Sequence, residues 1–351
     1  MIEPVLRKSV KPRCPVFGEC GGCQYQDMPY EEELAIKENQ IQDLLISRLG
    51  LARARCSPIV PSPQEYHYRN RLDLKLSRVQ QQGVAMGFSP VGHNRMVPVS
   101  ACSIARPEIS DYLPQLFQEA QAKFSSDYNE ANLVVRSGEE TRVRWGGIGR
   151  RSLQMEAKDF FWTEIRGQRI FYSLGTFFQT NLSILPTVIE RIRFLDVWSK
   201  ETLFLDLYSG VGLFGILLAD LVAAVVMVEE SATSVRLARY NLQHHGLPNA
   251  TIKKGRIEDE LPGLLVEALL RQKVALVDPP RAGLSPKALT ILKDANFISA
   301  LIYLSCQPDS LVRDLGILTK THWQIENVVP FDFFPKTKHI ETLVLLKPQN
   351  A

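Results

Sequence analysis

Short apolar runs that end in polar residues recur through the C-terminal half of this chain, and they limit its fold more than any other feature. Four of them read TLFLDLY, AAVVMVEE, VALVDPP and LIYLSCQP. Each suits a strand buried on both faces, and helical patterns separate one run from the next. Strands that alternate with helices in this way form a doubly wound α/β sheet of parallel strands. Two final strand patterns, WQIENVVPF and HIETLVLLK, have little helix between them, which predicts an antiparallel hairpin at one edge.

The composition is that of a globular chain without a membrane segment. The 351 residues, 45% hydrophobic and 23% charged, are enough for two or three domains. The first residues lack the apolar core of a secretory signal, and glycines and Asp220 divide the apolar stretch from Val211 to Val228. We therefore expect a cytoplasmic protein with no membrane partner and no obligate protein partner. The net charge is only +3, so RNA would have to bind at local basic patches.

The spacing of the cysteines predicts a metal centre. The six are Cys14, Cys20, Cys23, Cys56, Cys102 and Cys306. In a chain of this size without a secretory signal they do not suggest a disulfide framework. The first three form a C-x5-C-x2-C run, and Cys102 is the best-placed fourth ligand, because Cys56 lies in a Pro- and Arg-rich segment. Four thiolates can hold either zinc or an iron-sulfur cluster, and the spacing alone does not decide between them.

The N-terminal half has the pattern of an α+β region. Residues 30–49 and 107–124 carry the apolar stripe of amphipathic helices, and residues 71–77 alternate as a half-buried strand. Two stretches combine aromatic rings with arginines. They are YHYRNR, at 66–71, and strand-like pieces in which Arg142, Arg144, Arg150 and Arg151 surround Trp145. Such side chains can bind single-stranded RNA, but they also suit a solvated sheet surface.

A glycine-rich turn predicts a cofactor site in the C-terminal half. DLYSGVGL, at 206–213, joins a strand to a helix, and its glycines let the backbone approach a ligand closely. Glu229 ends the next strand, where its carboxylate can accept both ribose hydroxyls. A glycine-rich turn followed by a strand-end acid occurs in both NAD enzymes and S-adenosylmethionine (SAM) enzymes, so this pair alone does not choose between the two cofactors. Asp278 begins DPPR, whose rigid prolines can hold a planar substrate beside the cofactor, although Asp-Pro also ends a strand as a plain turn.

Cys306 and Glu341 are the candidates for covalent and acid–base chemistry. Cys306 follows a buried strand, and in an open parallel sheet the carboxyl ends of strands face the ligand crevice. A small buried thiol is the alternative interpretation. Glu341 is the single acidic group in a strand that is otherwise mostly apolar, so desolvation would raise its pKa and suit it to act as a general base. A glutamate at an exposed strand entrance is the alternative there.

In their order and spacing, several motifs resemble those of the RNA uracil-5-methyltransferase family. They are FFQTN, DLYSGVG, the strand-end acid, DPPR, SCQP and FPKTKHIE, and the spaced cysteines extend the likeness to the N-terminal half. The resemblance implies a Rossmann-like, SAM-dependent methyltransferase domain with a mainly parallel seven-stranded sheet at 173–351. It also implies an α+β iron-sulfur and RNA-binding region at 1–172, with the cluster part in about 1–105 and a central sheet in about 106–172.

The resemblance further implies a role for each candidate residue. Cys306 would add to carbon 6 of uracil, which makes carbon 5 nucleophilic enough to take the SAM methyl group. Glu341 would then remove the proton left on carbon 5. The residues implied to contact SAM or the base are Gln179, Tyr208, Gly210, Gly212, Glu229 and Asp278. Cys14, Cys20, Cys23 and Cys102 would hold a 4Fe-4S cluster with a structural or RNA-binding role.

Two departures from the family pattern bear on the cofactor and the substrate. Arg256 stands where the family commonly has the Asp or Asn that holds the adenine, so that contact is unassigned, with Glu258 or Asp259 as substitutes. Only 13 residues precede Cys14, so we expect no TRAM-type OB domain. Members with the cluster but without that domain resemble enzymes of large-subunit ribosomal RNA. Ribosomal RNA is therefore the expected substrate, and transfer RNA is the second.

Two other kinds of protein stay open from the sequence. One is a noncatalytic RNA-binding protein with an iron-sulfur fold, although the presence of both Cys306 and Glu341 argues against it. The other is an amino-methylating enzyme that uses DPPR without a covalent step. Such an enzyme would not need Cys306.

Overall fold

The computed structural model describes residues 9–79, 83–89, 96–148, 153–267 and 272–349. Its helices are α1 (Tyr30–Leu49), α2 (Pro107–Lys123), α3 (Leu185–Arg193), α4 (Leu213–Leu217), α5 (Ala232–His245), α6 (Ile257–Glu267), α7 (Pro286–Lys293) and α8 (Pro308–Leu318). Its strands are β1 (Arg71–Val79), β2 (Gly83–Phe88), β3 (Val97–Pro98), β4 (Glu130–Ser137), β5 (Val143–Gly146), β6 (Phe161–Ile165), β7 (Gln168–Tyr172), β8 (Leu203–Leu207), β9 (Ala224–Glu229), β10 (Ala250–Lys254), β11 (Lys273–Val277), β12 (Ile298–Ser305), β13 (Trp323–Phe331) and β14 (Glu341–Pro348). Arg150 and Arg151 lie outside the described residues. Within those ranges, none of the helices combines the length and the apolar character that crossing a membrane requires.

The C-terminal half forms a seven-stranded sheet in the order β10-β9-β8-β11-β12-β14-β13. The pairs from β10 to β12 are parallel, whereas β14 runs antiparallel to both β12 and β13. The prediction of a mainly parallel α/β sheet with a hairpin at one edge is therefore confirmed. β8 and β11 are buried along their whole length, because α3, α4 and α5 cover one face of the sheet and α1, α6, α7 and α8 cover the other.

The strand registers bring the predicted cofactor residues to one edge of this sheet. Leu207, the last residue of β8, lies opposite the next-to-last residue of β9 and the last residue of β11. Tyr208, Glu229 and Asp278 therefore stand side by side where these parallel strands end. In doubly wound folds, this edge is where ligands bind.

An antiparallel five-stranded sheet, in the order β3-β2-β1-β4-β5, makes up much of the N-terminal half. Leu72, Leu74 and Leu76 of β1 share one apolar core with Ile109 and Leu113 of α2, as the alternation in β1 predicts. β1 to β3 come from the stretch assigned to the cluster, and β4 and β5 come from the predicted central sheet. The two stretches share one sheet, because β1 pairs with β4 as well as with β2.

The N-terminal helix α1 belongs to the core of the C-terminal half. Ile41 and Leu45 are fully buried in the same apolar core as β12 and α8. A buried ion-pair network adds to this packing. Nζ of Lys37 lies 2.7 Å from Oε1 of Glu33 and 2.6 Å from Oδ1 of Asp332, the residue after β13. Helix α1 therefore holds the segment that leads from β13 into β14.

Candidate active site

Two antiparallel strands bring Cys306 and Glu341 opposite each other. Ser305, the last residue of β12, is paired with Thr342 of β14, so Cys306 and Glu341 are the next two residues in the same register. Residues directly opposite on neighbouring strands project to the same side of a sheet. Glu341 is only 6% exposed, and Cys306 is half-buried. Glu341 therefore does not stand at an exposed strand entrance, and two residues distant in sequence meet at one point.

Burial and nearby charges shift the protonation of this pair. Burial, reinforced by the negative charges of Glu341 and Asp278 and opposed by Arg281, raises the pKa of the Cys306 thiol to about 12. Burial also raises the pKa of Glu341 well above that of an ordinary glutamate, and the charge of Asp278 adds to the rise. Asp278 is desolvated in turn, which raises its own pKa. At neutral pH the free protein therefore holds Cys306 as a thiol, beside carboxyl groups that are able to exchange protons there.

Gln179 and Asp278 form a polar pair next to Cys306. Nε2 of Gln179 donates a hydrogen bond to Oδ2 of Asp278 over 3.3 Å. Asp278 directly follows β11, and the two prolines after it restrict the backbone there. An amide beside a carboxyl group offers both donors and acceptors, which recognition of a polar heterocycle requires. The structure thus groups Gln179 and Asp278 with Cys306 and Glu341.

The turn after β8 has the backbone conformation that its glycines predict. The angle φ is +56° at Gly210 and +88° at Gly212, a left-handed conformation that favours glycine. A Cβ at Gly212 would also lie 3.0 Å from Sδ of Met227. The N–H of Gly210 donates to Oε2 of Glu229 over 3.0 Å, and the N–H of Ser231 donates to Oε1 over 2.7 Å. Two backbone hydrogen bonds therefore fix the Glu229 carboxylate beside the turn.

A cavity of about 520 Å³ opens next to this turn. Tyr208, Glu229, Glu258 and Ser285 are among the residues that line it. Burial, with the charge of Glu258 adding to it, raises the pKa of Tyr208 to about 12, so its hydroxyl stays protonated at neutral pH. The volume is in the range of roughly 300–1,000 Å³ that is usual for cofactor sites. This cavity is the candidate cofactor site.

Arg256 and its predicted substitutes can now be placed. Arg256 lines the same cavity, but its guanidinium is 67% exposed and lies 3.3 Å from the carboxylate of Glu230. Glu258 lines the cavity from the first turn of α6 and acts electrostatically on Tyr208. Of the two substitutes considered for the adenine contact, Glu258 and Asp259, Glu258 is therefore the better placed.

Asp206 is a site residue that the sequence analysis left unassigned. It lies fully buried within β8, and its Oδ2 accepts a hydrogen bond from the N–H of Gly215 over 2.8 Å. Burial raises its pKa to about 7, and the charges of Asp278 and Glu229 contribute to the rise. Oδ1 has no hydrogen-bond partner among the described residues. A lone carboxyl group in an apolar strand was the available signal, as it was for Glu341.

The four predicted metal ligands line one cavity of about 270 Å³. They are Cys14, Cys20, Cys23 and Cys102. Burial raises the pKa of Cys23 to about 12, and the other three thiols each contribute, so the four lie near one another. Cys56 packs instead against the core that contains α1 and β13. In the part of the chain that the structure describes, no group of His, Cys, Asp or Glu has the geometry to hold a metal ion. The soft donor set suits zinc or an iron-sulfur cluster, and the metal centre stays a prediction.

The cysteine cavity lies close to Cys306. Arg281 and His339 line the cysteine cavity, and Arg281 is also the cation that acts on Cys306. The N–H groups of Gln24 and Tyr25, which follow the cysteine run, donate to the carbonyl oxygen of Lys336 over 2.9 and 3.1 Å. The cysteine loop is therefore bonded to the segment that leads into Glu341.

Several of the side chains predicted as an RNA surface are engaged within the chain. Arg142 and Arg144 lie 3.8 and 2.8 Å from Oδ1 of Asp159. Nε1 of Trp145 donates to the carboxylate of Glu119 over 2.7 Å. Internal pairing of these side chains is compatible with a solvated sheet surface, and the RNA surface stays a prediction.

Fold and site together define a class of protein. An α/β methyltransferase has a mainly parallel sheet, a glycine-rich turn and an acid at the end of the following strand, and all three are present here. Cys306 and the buried Glu341 lie opposite each other at the same edge of the sheet as the candidate cofactor site. The chain belongs to the tRNA (uracil-5-)-methyltransferase family, whose model matches residues 149–349. It is a SAM-dependent RNA (uracil-5-)-methyltransferase.

Known relatives resemble the chain over nearly its whole length. It is 29% identical to an uncharacterized RNA methyltransferase of Thermosynechococcus vestitus, over 96% of this chain and 84% of that protein. It is 26% identical to the tRNA (uracil(54)-C(5))-methyltransferase of Schizosaccharomyces pombe, over 95% of this chain and 65% of that protein. Among solved structures it is similar to Pyrococcus abyssi tRNA (uracil-54, C5)-methyltransferase in complex with S-adenosyl-L-homocysteine. The TM-score is 0.69 at 22% identity, covering 93% of this chain and 85% of that one, so the likeness in fold includes the N-terminal half.

Proposed function

We propose that this protein methylates carbon 5 of one uridine in large-subunit ribosomal RNA through a covalent cysteine adduct. The observation that carries the proposal is the position of Cys306 opposite Glu341, next to Asp278 and Gln179 at the ligand-binding edge of the sheet. A thiol and a buried acid at one point serve a reaction that needs first a nucleophile and then a base. An amino-methylating enzyme would use neither group in this way.

Each of these residues has a defined task in the reaction. The Cys306 thiol loses its proton to solvent, which reaches this half-buried residue, and the thiolate then forms a bond to carbon 6 of uracil while the ring electrons move to give an enolate. Carbon 5 of the enolate would form a bond to the methyl group that bound SAM supplies, and the bond between that methyl group and the SAM sulfur would break, which leaves S-adenosylhomocysteine. Glu341 takes the proton from carbon 5, and the thiolate is expelled from carbon 6 as the ring double bond returns. Asp278 and Gln179 hold the polar edge of the uracil during these steps.

The charges in the pocket control when the thiolate forms. A thiol with a raised pKa is inert toward other electrophiles, because the thiolate is the nucleophile. Arg281 favours the thiolate, and it is the counterion beside Cys306. The raised pKa of Asp278 keeps more of its carboxyl group neutral, which lessens its repulsion of the thiolate. Glu341 acts as the carboxylate, and its raised pKa makes that carboxylate a stronger base toward the proton on carbon 5.

SAM is assigned to the cavity beside the glycine-rich turn. Gly210 and Gly212 allow its close approach, Glu229 accepts from the ribose hydroxyls, and Tyr208 contacts the same ligand. Glu258 supplies the adenine contact in place of Arg256. Asp278 stands between this cavity and Cys306, so the methyl group and the uracil meet beside it.

Cys14, Cys20, Cys23 and Cys102 are assigned to a 4Fe-4S cluster with a structural role. Support comes from their position around one cavity and from the hydrogen bonds that join the cysteine loop to Lys336. When bound, the cluster would crosslink the N-terminal loop to the five-stranded sheet through Cys102. Zinc is the alternative, because the same thiolates would serve it.

Metal analysis distinguishes a 4Fe-4S cluster from zinc. Protein purified without oxygen is expected to be brown and to contain about four irons per chain. Cys102→Ser should lower the iron content, because it removes one of the four thiolates. Cys56→Ser, a half-buried cysteine outside the cavity, is the matched control and should retain the iron. Colourless protein with stoichiometric zinc would contradict the cluster.

We prefer ribosomal RNA as the substrate. The reason is the set of four spaced cysteines, on which the resemblance to enzymes of ribosomal RNA rests. Transfer RNA is the second candidate. It is favoured by the names of two similar proteins, which are both transfer RNA uracil-54 methyltransferases.

Mapping 5-methyluridine by mass spectrometry in RNA from a strain without the protein tests the proposal. We expect the modification to be absent from one position of the large ribosomal RNA and to return with the wild-type protein but not with Cys306→Ala. Loss from transfer RNA alone would favour the second candidate. No loss from any RNA, with RNA binding by the purified protein intact, would contradict an enzyme and favour a noncatalytic RNA-binding protein.

A further inference from the structure

The loop that carries Gln179 is held by the five-stranded sheet as well as by its own half. This base-binding loop runs from Ser173, after β7, to Ile184, before α3. Three residues from one corner of the five-stranded sheet donate hydrogen bonds to its main chain. Arg71, the first residue of β1, makes the longest ones, 3.4 Å to the carbonyl oxygens of Leu174 and Thr176. The shorter ones come from Asn70, which precedes β1, and from Arg136, which lies opposite Arg71 in the β1–β4 register.

Asn70 contacts the main chain of Gln179 directly. Its Nδ2 donates to the carbonyl oxygen of Gln179 over 3.2 Å, and its backbone N–H donates to the carbonyl oxygen of Thr180 over 3.0 Å. Its own carbonyl oxygen accepts from the N–H of Ser137 of β4 over 3.0 Å. Asn70 is fully buried. One residue therefore joins the sheet to two successive peptide units, through the carbonyl oxygens of Gln179 and Thr180.

Arg136 holds the first part of the same loop. Its Nη1 donates to the carbonyl oxygens of Ser173 over 2.7 Å and Thr176 over 3.0 Å. The side chain is fully buried, and neither Nε nor Nη2 has a hydrogen-bond partner among the described residues. Burying an incompletely paired guanidinium destabilises the folded state. Features that cost stability tend to lie at functional sites, and the bonds that Arg136 does make go to the base-binding loop.

We propose that Asn70 and Arg136 are positioning residues that fix the base-binding loop so that the Gln179 amide stays against Asp278 and faces the substrate base. The inference rests on the proposed function, because it gives Gln179 a contact with uracil. Both residues bond to main-chain carbonyls, so Asn70 reaches the substrate only through the geometry of Gln179. The five-stranded sheet then helps to position the side chain that contacts the substrate base.

A double-mutant cycle of Asn70 and Gln179 tests whether Asn70 acts by positioning Gln179. Asn70→Ala removes the Nδ2 donor and leaves the two backbone hydrogen bonds. We expect the single-turnover methylation rate at saturating RNA and SAM to fall about 10- to 100-fold, because a displacement of about 1 Å at a reacting centre costs about 100-fold. RNA affinity should change less than about twofold. With Gln179→Ala already present, Asn70→Ala should change the rate less than about twofold, because the group that it positions is gone.

Matched variants separate positioning from a loss of structure. Gln42→Ala removes a buried amide from α1, away from the loop, and should retain the wild-type rate. Arg136→Lys, which keeps the charge and a donor, should retain more activity than Arg136→Gln. Thermal melting checks each fold, and if Asn70→Ala does not fold, the same cycle is run with Asn70→Ser or Arg136→Lys. Equal rate losses in both backgrounds, or weaker RNA binding at an unchanged rate, would overturn the inference. Wild-type protein that methylates no RNA would instead overturn the proposed function.

Discussion

Glu341→Gln is expected to trap RNA on the protein as a methylated covalent adduct. Glutamine cannot take the proton from carbon 5, so the reaction should proceed through methyl transfer and stop before Cys306 is expelled. Multiple-turnover methylation should fall about 10²- to 10⁴-fold, the usual contribution of a general base. The adduct would be measured as labelled RNA that migrates with the protein on a denaturing gel, in the presence of SAM.

Two controls make this result specific to the pair. Adding Cys306→Ala to Glu341→Gln should abolish the adduct, because the bond to RNA is made by that sulfur. Glu326→Gln changes a half-exposed acid on the neighbouring strand β13, which lies 3.1 Å from Arg55, and should turn over normally. An adduct that persists without Cys306, or near-wild-type turnover by Glu341→Gln, would contradict these two assignments.

Cys306 and Glu341 stand out as candidates in the sequence because each breaks an apolar strand pattern. The family resemblance implied that they act on one base, but the strand patterns alone did not predict that they would lie opposite each other. β14 lies between β12 and β13, so the last strand of the chain inserts beside the strand that ends at Cys306. If β13 had paired with β12, as the order along the chain suggests, Glu341 would stand one strand further away. Strand order is set by packing of the whole sheet, which no local pattern encodes.

The contacts between the two halves were the least predictable part of the site. Asn70 lies within a basic, aromatic stretch that reads as a surface, and Arg136 lies within an ordinary strand pattern. Both are fully buried, because the base-binding loop packs against their corner of the sheet. Glu33 and Lys37 likewise read as an exposed pair one helical turn apart. Asp332, from the other end of the chain, encloses them.

The buried network of Glu33, Lys37 and Asp332 is where we expect a substitution to lower the free energy of unfolding most. Lys37→Met would leave Asp332 buried without its cation and Glu33 with Lys336 alone, 3.2 Å from its Oε2, and Nζ of Lys37 also donates to the carbonyl oxygen of Phe334. Removing one partner of a buried ion pair costs about 3–5 kcal/mol, because the remaining charge is neither solvated nor neutralised. The free energy of unfolding, measured by urea denaturation at a constant m-value, should fall by that amount.

Two further variants test whether the loss of stability in Lys37→Met comes from burial of an unpaired charge. Lys158→Met removes the cation of an exposed pair, 77% accessible and 3.1 Å from Glu156, and should change the free energy of unfolding by less than about 0.5 kcal/mol. Adding Glu33→Gln and Asp332→Asn to Lys37→Met should recover part of the loss, since both buried anions are then gone and buried Lys336 keeps Glu65, 2.8 Å from its Nζ. A loss below about 1 kcal/mol for Lys37→Met, or no recovery in the triple variant, would mean that water reaches the network and that packing of Ile41 and Leu45 alone fastens α1 to the catalytic half.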